Sequence, residues 1–420
     1  MKKFLALVLA AAMVFGLVAC GETTTDETTE SAADVVTEAT EAGEETDAPA
    51  ADGAVTVKAG FICLHDEQST YDLNFINAAK EACEKLGIEY VIKTGIDESE
   101  ECLAAAEELV EDEGCNFIFA DSFGHEPYII QAAQEYPEVQ FAHATGTKAH
   151  TEGLENFHNA FASIYEGRFI AGYVAGLKLN EMIAAGTITE DQAKVGYVGA
   201  FPYAEVISGY TSFFLGVRKA CPSATMTVNY TNSWYDEAME YETAKNLIAG
   251  GCVLISQHAD SMGAPRACEE NNVPNVSYNG STESVGPNTF LAYSRINWAP
   301  YFEYAITSIQ AGEAFDLDWT GTIASGSVCY ELCEANDAAG TAEQVETLVA
   351  DIVAGDVKVF DTATWTVGGE TLTTYTADVD DMGDYVPETE VISEGCFLES
   401  AFRSAPYFDI IIDGITSVVE

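Results

Sequence analysis

The sequence predicts an α/β fold of two lobes, each built on a mainly parallel β-sheet. Apolar strand-like runs alternate with segments of helical spacing along most of the chain, which is the pattern of βαβ units. The tetrapeptide Asp-Ser-x-Gly occurs at residues 121–124 and again at 260–263, each time after an apolar strand and before a helix. With 420 residues, of which 48% are hydrophobic, the chain is long enough for two domains with separate cores.

The N-terminus has the pattern of an export signal followed by a polar linker. Two lysines precede an apolar run at 4–18, and the sequence Leu-Val-Ala-Cys at 17–20 is similar to a bacterial lipobox. Residues 1–20 are therefore predicted to be a lipoprotein signal peptide with Cys20 as the lipidated residue; an ordinary signal peptide or a buried helix is the alternative. Residues 21–54 are rich in Thr, Glu, Asp and Ala and contain no aromatic residue, which predicts an acidic, disordered stalk.

The first lobe is predicted to begin at Val55 and to cover residues 55–178 and 289–318. Alternating or apolar runs predict its strands, and apolar spacing of three and four residues predicts its helices. The predicted strands are VTVKAGFICL from Val55, IEYVIK, NFIFA, VQFAHA and 289–296. The predicted helices are 73–86, 99–110, 127–136, 164–179 and 298–311. Small residues in 164–179 indicate a helix that packs closely against a neighbour near the crossover between the lobes.

The second lobe is predicted to follow a polar connector at 187–192 and to cover residues 179–288 and 319–420. Its predicted strands are KVGYVGA, TMTVNYT, CVLISQH, NVSYN and a single long strand at 319–330. Its predicted helices are 206–221, 235–249, 264–271 and 342–354. A hairpin is expected around Gly368 and Gly369, and an acidic turn near 378–384.

Charge and motifs argue against several classes of function. The 69 acidic and 17 basic residues give a net charge of −52, which argues against nucleic acid or anionic lipid as a partner and is typical of a soluble, solvated surface. No phosphate-binding loop, HExxH helix or GxSxG turn is present, and no two histidines have a metal-ligand spacing. We therefore expect no catalytic residue, metal site or cofactor.

Ten cysteines other than Cys20 lie mostly within predicted strands and helices. The absence of a CxxC pair or of a disulfide-rich spacing favours buried free thiols. Cys329 and Cys333 form a C-x3-C pair, for which a disulfide or a metal site is the less favoured alternative.

Aromatic and polar residues are concentrated where the predicted strands end. Because ligands bind at the carboxyl ends of parallel strands, we expect these residues to form a binding site between the lobes. Core packing of each aromatic residue, and helix capping by Asp121 and Asp260 with the serines that follow them, remain open as alternatives. The candidate ligand-binding residues are Tyr71, Asp72, Asp121, Ser122, Phe123, Phe201, Asn232, Trp234, His258, Asp260, Ser261, Asn279, Arg295 and Trp298.

Several motifs, found in order between about residues 55 and 311, resemble one known family. They are GFICLHDEQSTYD, FADSFGH, HATG, IYEGRFIAGYVAG, GYVGAFPYAEVISGYTSFFLG, TNSWYDEAMEYETAKNLIAGG and ISQHADS. Together they look like the basic membrane lipoprotein family of ABC-transporter substrate-binding proteins, which includes purine nucleoside receptors. The resemblance implies a type I periplasmic-binding-protein fold, in which two Rossmann-like lobes joined by three crossovers close on a ligand.

The resemblance also implies how a ligand is held. Tyr71 and Phe201 match the aromatic residues that stack on the nucleobase, and acidic and amide side chains hold the ribose. This chain departs from the nucleoside receptors at three places. It has Gln-Ser-Thr-Tyr-Asp at 68–72 instead of Asp-x-Ser-Phe-Asn, Asn279 where they carry an Asp, and Arg295 as the nearest match to a Lys.

These observations predict a lipid-anchored solute-binding protein at the extracellular face of the cell membrane. We expect a monomer that captures a purine nucleoside or similar small polar aromatic ligand and delivers it to ABC permease subunits. A membrane-anchored sensor or signalling lipoprotein with the same fold is the alternative. An exported hydrolase is a third hypothesis, but no pair of carboxylates can be assigned to it from the sequence.

Overall fold

The computed structural model describes residues 55–379 and 387–418, so the predicted signal peptide, the stalk and Cys20 lie outside the described residues. The strands are β1 Lys58–Ile62, β2 Glu89–Lys93, β3 Phe117–Ala120, β4 Gln140–Ala144, β5 Phe157–Ala162, β6 Lys194–Gly199, β7 Thr225–Tyr230, β8 Leu254–Gln257, β9 Asn275–Tyr278, β10 Phe290–Ile296, β11 Asp318–Gly321, β12 Val328–Leu332, β13 Thr376–Ala377, β14 Thr389–Glu390, β15 Ile392–Ser393, β16 Cys396–Phe397 and β17 Ile415–Val418. The helices are α1 Thr70–Leu86, α2 Glu100–Glu111, α3 Glu126–Glu135, α4 Ala149–Glu152, α5 Tyr165–Ala184, α6 Ala204–Ala220, α7 Glu237–Ala249, α8 Gly263–Asn271, α9 Ala299–Ala311 and α10 Thr341–Ala354.

Two large sheets form the centres of the two lobes, which confirms the predicted α/β class. The first sheet has the strand order β11-β5-β4-β3-β1-β2, and its strands are all parallel. The second has the order β12-β10-β9-β8-β6-β7-β17, in which only the β10–β12 pair is antiparallel. Central strands such as β3 are buried along their whole length, because helices cover both faces of a parallel sheet.

The positions where the chain crosses between the sheets differ from the predicted lobe boundaries. The residue range 55–178 was assigned to the first lobe, but α5 packs against α6 and its apolar residues belong to the core of the second lobe. The range 289–318 was also assigned to the first lobe, but β10 pairs with β9 in the second sheet. Helix α9 returns to the first lobe and packs into its core, and β11 pairs there with β5.

Three strands differ from the prediction. The predicted strand 319–330 is two strands in different sheets, because a turn at Ile323–Gly326 separates β11 from β12. Strand β5 was not predicted, since His158 and Asn159 interrupt its apolar run, although both side chains are buried and hydrogen bonded. The C-terminal strand β17, which extends the second sheet beside β7, was not predicted either.

The close packing expected of the helix rich in small residues is present. A Cβ atom on Gly172 of α5 would lie 1.9 Å from the Phe213 carbonyl oxygen, and one on Gly216 of α6 would lie 2.0 Å from that of Phe169. Only glycine allows the two helix backbones to approach this closely. The contact packs α5 against α6 in the second lobe.

The ten cysteines in the described residues are all free, and eight of them are buried, which confirms the prediction of buried thiols. Cys329 and Cys333 therefore form no disulfide. Within residues 55–379 and 387–418, no helix is both long enough and apolar enough to cross a bilayer.

Candidate functional site

A cavity with an empty volume of about 400 Å³ lies between the carboxyl ends of the two sheets. Hydrogen bonds join the two lobes beside this cavity. The Thr70 backbone N–H donates to the Asp260 carbonyl oxygen at 3.2 Å, and the Asn74 side-chain amide donates to the Asn279 carbonyl oxygen at 2.9 Å. The lining residues are Leu64, His65, Tyr71, Asp72, Ser122, Phe123, Thr145, Glu205, Trp234, His258, Asp260 and Asn279.

The first turn of α1 supplies an aromatic ring and a carboxylate to the first-lobe wall. Ser69 caps this helix by accepting a hydrogen bond from the Asp72 backbone N–H. The Asp72 carboxylate accepts hydrogen bonds from the His65 backbone N–H at 2.7 Å and the Ser69 hydroxyl at 2.5 Å. Although burial raises the pKa of Asp72, the hydrogen bonds from His65 and Ser69 outweigh it and the pKa is lowered. The cavity therefore has a fixed negative charge beside Tyr71, whose hydroxyl donates to the Asp121 carbonyl oxygen at 2.7 Å.

The loop after β3 contributes Ser122 and Phe123 to the same wall. The Ser122 hydroxyl donates to the Glu98 carboxylate at 2.6 Å, which fixes the loop against the segment that precedes α2. Phe123 is 42% exposed and contacts Tyr203 of the second lobe with ring centroids 5.4 Å apart. These two rings thus meet across the mouth of the cleft.

Asp260 and Asn279 form the polar part of the second-lobe wall. Asn279 follows β9 in a left-handed conformation with a φ of 66°, and its amide donates to the Asp260 carboxyl at 3.2 Å. Burial, followed by the negative charges of Asp72 and Glu240, raises the pKa of Asp260 well above its usual range. Trp234 lies beside this pair, and its carbonyl oxygen accepts a hydrogen bond from the Asp260 backbone N–H.

His258 and Glu205 form an ion-pair contact on the same wall. The His258 Nε2 atom is 2.8 Å from a Glu205 carboxylate oxygen, whereas its Nδ1 atom is buried without a partner among the described residues. Behind His258, the buried Arg168 guanidinium lies over the Tyr278 ring at 4.2 Å and donates to the Gln257 carbonyl oxygen at 3.1 Å. This arrangement holds the end of β8 beside the cavity.

Eight of the residues expected from the sequence line the cavity, and six do not. Phe201 packs behind the wall, stacked on Tyr203 at 5.2 Å and edge-on to Trp234 at 5.0 Å. Trp298 is a core residue that stacks on Phe75 at 4.5 Å. Ser261 is fully buried and accepts a hydrogen bond from the Gly263 backbone N–H, so it shapes the turn before α8.

The other three predicted residues that do not line the cavity lie in a turn, at a separate surface depression and behind the cavity wall. Asn232 is exposed in a left-handed turn with a φ of 56°. Arg295 faces a separate surface depression beside Asn297. Asp121 is buried behind the wall, where one of its carboxyl oxygens accepts a hydrogen bond from the Leu64 backbone N–H at 3.1 Å.

Four further residues line the cavity and were not among the predicted site residues: Leu64, His65, Thr145 and Glu205. Leu64 and His65 come shortly after β1, as Asp121 comes after β3. The expectation that ligands bind at the carboxyl ends of parallel strands could therefore have identified them. Thr145 follows β4 and has a φ of 63°, which is uncommon for a β-branched residue, but backbone conformation is not visible in the sequence. Glu205 lies in the first turn of α6, where an acidic residue is ordinary.

The residues that line the cavity are aromatic, acidic or neutral, and none of the twelve is a lysine or arginine. Rings from Tyr71, Phe123 and Trp234 can pack against a flat ligand, and the carboxyl groups of Asp72, Glu205 and Asp260 can accept hydrogen bonds from its hydroxyl or amino groups. No nucleophile activated by a base is evident among the lining residues. The site therefore has the chemistry of a binding site for a small, polar, ring-containing compound.

Comparisons with known proteins agree with this description. The family model of PnrA-like ABC transporter substrate-binding proteins matches residues 61–323. A protein of Haloferax volcanii that carries the name of an ABC transporter glucose-binding protein is 32% identical over 205 residues, which are 49% of this chain and 49% of that protein. A purine-binding protein of Brucella abortus is 32% identical over 189 residues, 45% of this chain and 50% of that protein. The chain spans about half the length of these curated relatives.

A solved structure supports the fold. An ABC transporter solute-binding protein of Conexibacter woesei has a TM-score of 0.59 and 18% identity, and the match covers 72% of this chain and 98% of that one. At this level of identity the likeness concerns the fold, which is that of periplasmic solute-binding proteins.

Proposed function

Because the chain belongs to the family of PnrA-like ABC transporter substrate-binding proteins, we propose that it captures a purine nucleoside or a similar small polar ring compound for an ABC permease. The family consists of solute-binding proteins rather than enzymes. The observation that carries the proposal is the cavity between the lobes, where Tyr71, Phe123 and Trp234 lie among the carboxyl groups of Asp72 and Asp260. Aromatic faces stack on a nucleobase, and carboxylates accept hydrogen bonds from ribose hydroxyls.

A hexose is the second candidate ligand. The relative named for glucose binding and the relative named for purine binding are both 32% identical to this chain. Aromatic rings and carboxylates also bind the apolar faces and the hydroxyl groups of sugars, so the composition of the wall fits both ligands.

The test is isothermal titration of the purified chain with inosine, guanosine, adenosine, free purine bases, glucose and galactose. Saturable binding of a nucleoside or base, with no heat from the sugars, is the expected result. Binding of a hexose alone would overturn the purine proposal in favour of the sugar. Silence across the panel would remove both, and mass spectrometry of compounds that co-purify with the protein would then identify the ligand class.

A matched pair of tryptophan variants tests whether the cavity is the site. Trp234→Ala should weaken binding at least about tenfold, because it removes a stacking face, while the unliganded melting temperature changes little. Trp298→Ala should instead lower the melting temperature, since Trp298 is buried in the first-lobe core. Unchanged affinity in Trp234→Ala would place the ligand elsewhere.

We also propose that Cys20 is lipidated and holds the protein as a monomer at the extracellular face of the cell membrane. The lipobox-like sequence at 17–20 and the acidic linker at 21–54 support this proposal. Metabolic labelling with a fatty acid should mark the wild-type chain and not Cys20→Ser, and the variant should be released into the medium. Equal labelling of the two would contradict the anchor, and sedimentation of the released chain would report its oligomeric state.

A further inference from the structure

We propose that Cys63, Asp72 and Asp121 form a binding site for one divalent transition-metal ion, with Zn²⁺ as the best match. The Cys63 thiol and one carboxyl oxygen from each aspartate all lie within 4.8 Å of one another. All three residues are buried, with exposed fractions of 1%, 1% and 0% in that order. The proposal does not depend on which ligand occupies the cavity: Asp72 also lines the cavity, but Cys63 and Asp121 are not among the lining residues.

The sheet brings these residues together although they are distant in the sequence. β1 and β3 are parallel neighbours, and Ile62 pairs with Ala120 at their carboxyl ends. Cys63 directly follows β1 and Asp121 directly follows β3, so the two residues lie side by side at the same edge of the sheet. The first turn of α1 adds Asp72 from above the same edge. No local spacing reveals this set, which explains why the sequence predicted no metal site.

A metal ion would satisfy one buried carboxyl oxygen of the cluster. The Asp121 Oδ2 atom is buried and has no partner with normal hydrogen-bond geometry among the described residues. Buried carboxylates are normally paired, protonated or bound to a metal, since an uncompensated charge is costly in a protein interior. The ion-pair contacts of these two carboxyls in the described structure come only from histidines. The Nδ1 atom of His65 is 3.4 Å from Asp72, and that of His125 is 3.9 Å from Asp121.

Surrounding donors already orient both carboxyl groups. The His65 backbone N–H and the Ser69 hydroxyl donate to Asp72 at 2.7 and 2.5 Å, and the Leu64 backbone N–H donates to one oxygen of Asp121 at 3.1 Å. Outer hydrogen bonds of this kind orient the ligands in metal sites. Among the described residues, the second oxygen of Asp121 has no hydrogen-bond donor outside the cluster, and it is the atom that we assign to the metal.

The donor set selects the class of metal. One thiolate and two carboxylates suit Zn²⁺ or a similar borderline ion, whereas Mg²⁺ and Ca²⁺ prefer six or more oxygen ligands. On binding, the Cys63 thiol gives its proton to solvent and the sulfur donates its electron pair to the metal, so that binding weakens as the pH falls. The remaining coordination position is left to water or another small ligand. A metal here would join the end of β1 to α1 and stiffen the wall that carries Tyr71.

The test uses the full chain freed of metal with EDTA and titrated with Co²⁺ as a spectroscopic probe. We expect a thiolate-to-cobalt charge-transfer band in the near ultraviolet that saturates at one equivalent and is displaced by Zn²⁺ but not by Ca²⁺. Cys63→Ser should lose the band. Asp121→Asn should weaken Zn²⁺ binding more than about 100-fold, more than the loss of an outer hydrogen bond costs. Cys268→Ser is the matched control, since Cys268 is a buried free thiol in the second lobe, and it should keep the band.

Melting curves without metal separate the loss of the site from the loss of the fold. Asp121→Asn keeps the shape of the side chain and should melt no lower than the wild-type chain in EDTA, while Zn²⁺ should raise the melting temperature of the wild type alone. Absence of the band in the wild-type chain would overturn the proposal and would mean that a shared proton stabilises the two carboxyls. A band that persists in Cys63→Ser would equally overturn it.

Discussion

The two Asp-Ser-x-Gly loops contain the same residues, but opposite members of each loop line the cavity. In the loop after β3, Ser122 lines the cavity and Asp121 is buried behind the wall. In the loop after β8, Asp260 lines the cavity and Ser261 is fully buried. A repeated sequence therefore indicates a repeated position in the fold, but it does not indicate which of its side chains meets the ligand.

The distance from the strand end explains the difference. β3 ends at Ala120, so Asp121 follows the strand directly, while β8 ends at Gln257 and two residues separate it from Asp260. The added residues carry the second Asp away from the sheet and toward the first lobe, where its carbonyl oxygen accepts a hydrogen bond from the Thr70 backbone N–H.

Each loop is also held by a glutamate, but the two glutamates differ in burial. The exposed Glu98 accepts hydrogen bonds from the Ser122 hydroxyl at 2.6 Å and the Gly124 backbone N–H at 2.7 Å. The fully buried Glu240 accepts from the Ser261 backbone N–H at 3.1 Å. The second loop is therefore anchored inside the lobe, and the first is anchored at its surface.

The largest expected effect is a pH dependence that arises from the anchor of the second loop. Burial raises the pKa of Glu240 to about 7. Because this folded-state pKa lies above that of the unfolded chain, the folded state holds the extra proton, and stability falls as the pH rises from the unfolded value toward about 7. Glu240→Gln should therefore be more stable than wild type at about pH 8, by about 3 kcal/mol at most. At about pH 5, where Glu240 is mostly protonated, the two should be similar.

Urea unfolding of both chains at the two pH values measures this effect. Burial also raises the pKa of Glu399 to about 7, so part of the pH dependence of the unfolding free energy should remain in the variant. If the unfolding free energy of Glu240→Gln and that of the wild-type chain depended equally on pH, Glu240 would not be the group that binds the extra proton in the folded state.

The glycines of the two loops should differ in their tolerance of a methyl group. A Cβ on Gly263 would lie 2.2 Å from the Glu237 carbonyl oxygen, which is helix backbone, whereas one on Gly124 would meet only the Glu98 side chain, at 2.6 Å. We expect Gly263→Ala to cost about 2 kcal/mol of unfolding free energy, because helix α7 must shift. Gly124→Ala should cost less, roughly 1 kcal/mol, because the exposed segment that carries Glu98 can shift together with its side chain. Equal costs in chemical denaturation would remove the distinction.

The aspartates should differ in their effect on affinity. Asp260→Asn should weaken ligand binding by up to about tenfold, because an amide cannot replace both carboxyl oxygens as acceptors and one hydrogen bond contributes about 0.5 to 1.5 kcal/mol. Asp121→Asn, titrated with the same ligand in EDTA, should leave the affinity close to that of wild type, since Asp121 is not on the cavity wall. A larger loss in Asp121→Asn than in Asp260→Asn would reverse the comparison.

The two serines should differ least in their effect on ligand affinity. Here the residue of the first loop, rather than that of the second, should have the larger effect. Ser122→Ala should reduce affinity about fivefold, which corresponds to about 1 kcal/mol for one hydrogen bond and the loop position that it fixes. Ser261→Ala should leave affinity unchanged and lower stability by roughly 1 kcal/mol, because the Gly263 backbone N–H loses its acceptor. Calorimetric titration and thermal melting of the two variants separate these outcomes.

Much of the fold followed from patterns that are local in the sequence. The spacing of apolar residues predicted the alternation of helices and strands and the two-lobe α/β class, and glycines at 172 and 176 indicated a closely packed helix. The rule that ligands bind at strand ends placed Asp72, Trp234, Asp260 and Asn279 among the candidates before their contacts were known. These predictions succeed because periodicity and turn chemistry act over a few residues.

The sequence by itself determined most of the segments that form helices and strands, except β5, β17 and the break between β11 and β12, and which edge of the sheets carries polar groups. Only the tertiary structure decided that β10 belongs to the second sheet, that Trp298 lies in the core, and that Glu205 meets His258 at the cavity. It also decided which member of each Asp-Ser pair lines the cavity and brought Cys63 beside Asp121. Sheet membership and contacts between loops depend on partners far away in the chain, and the free energy of those contacts is set by burial and geometry that no local pattern contains.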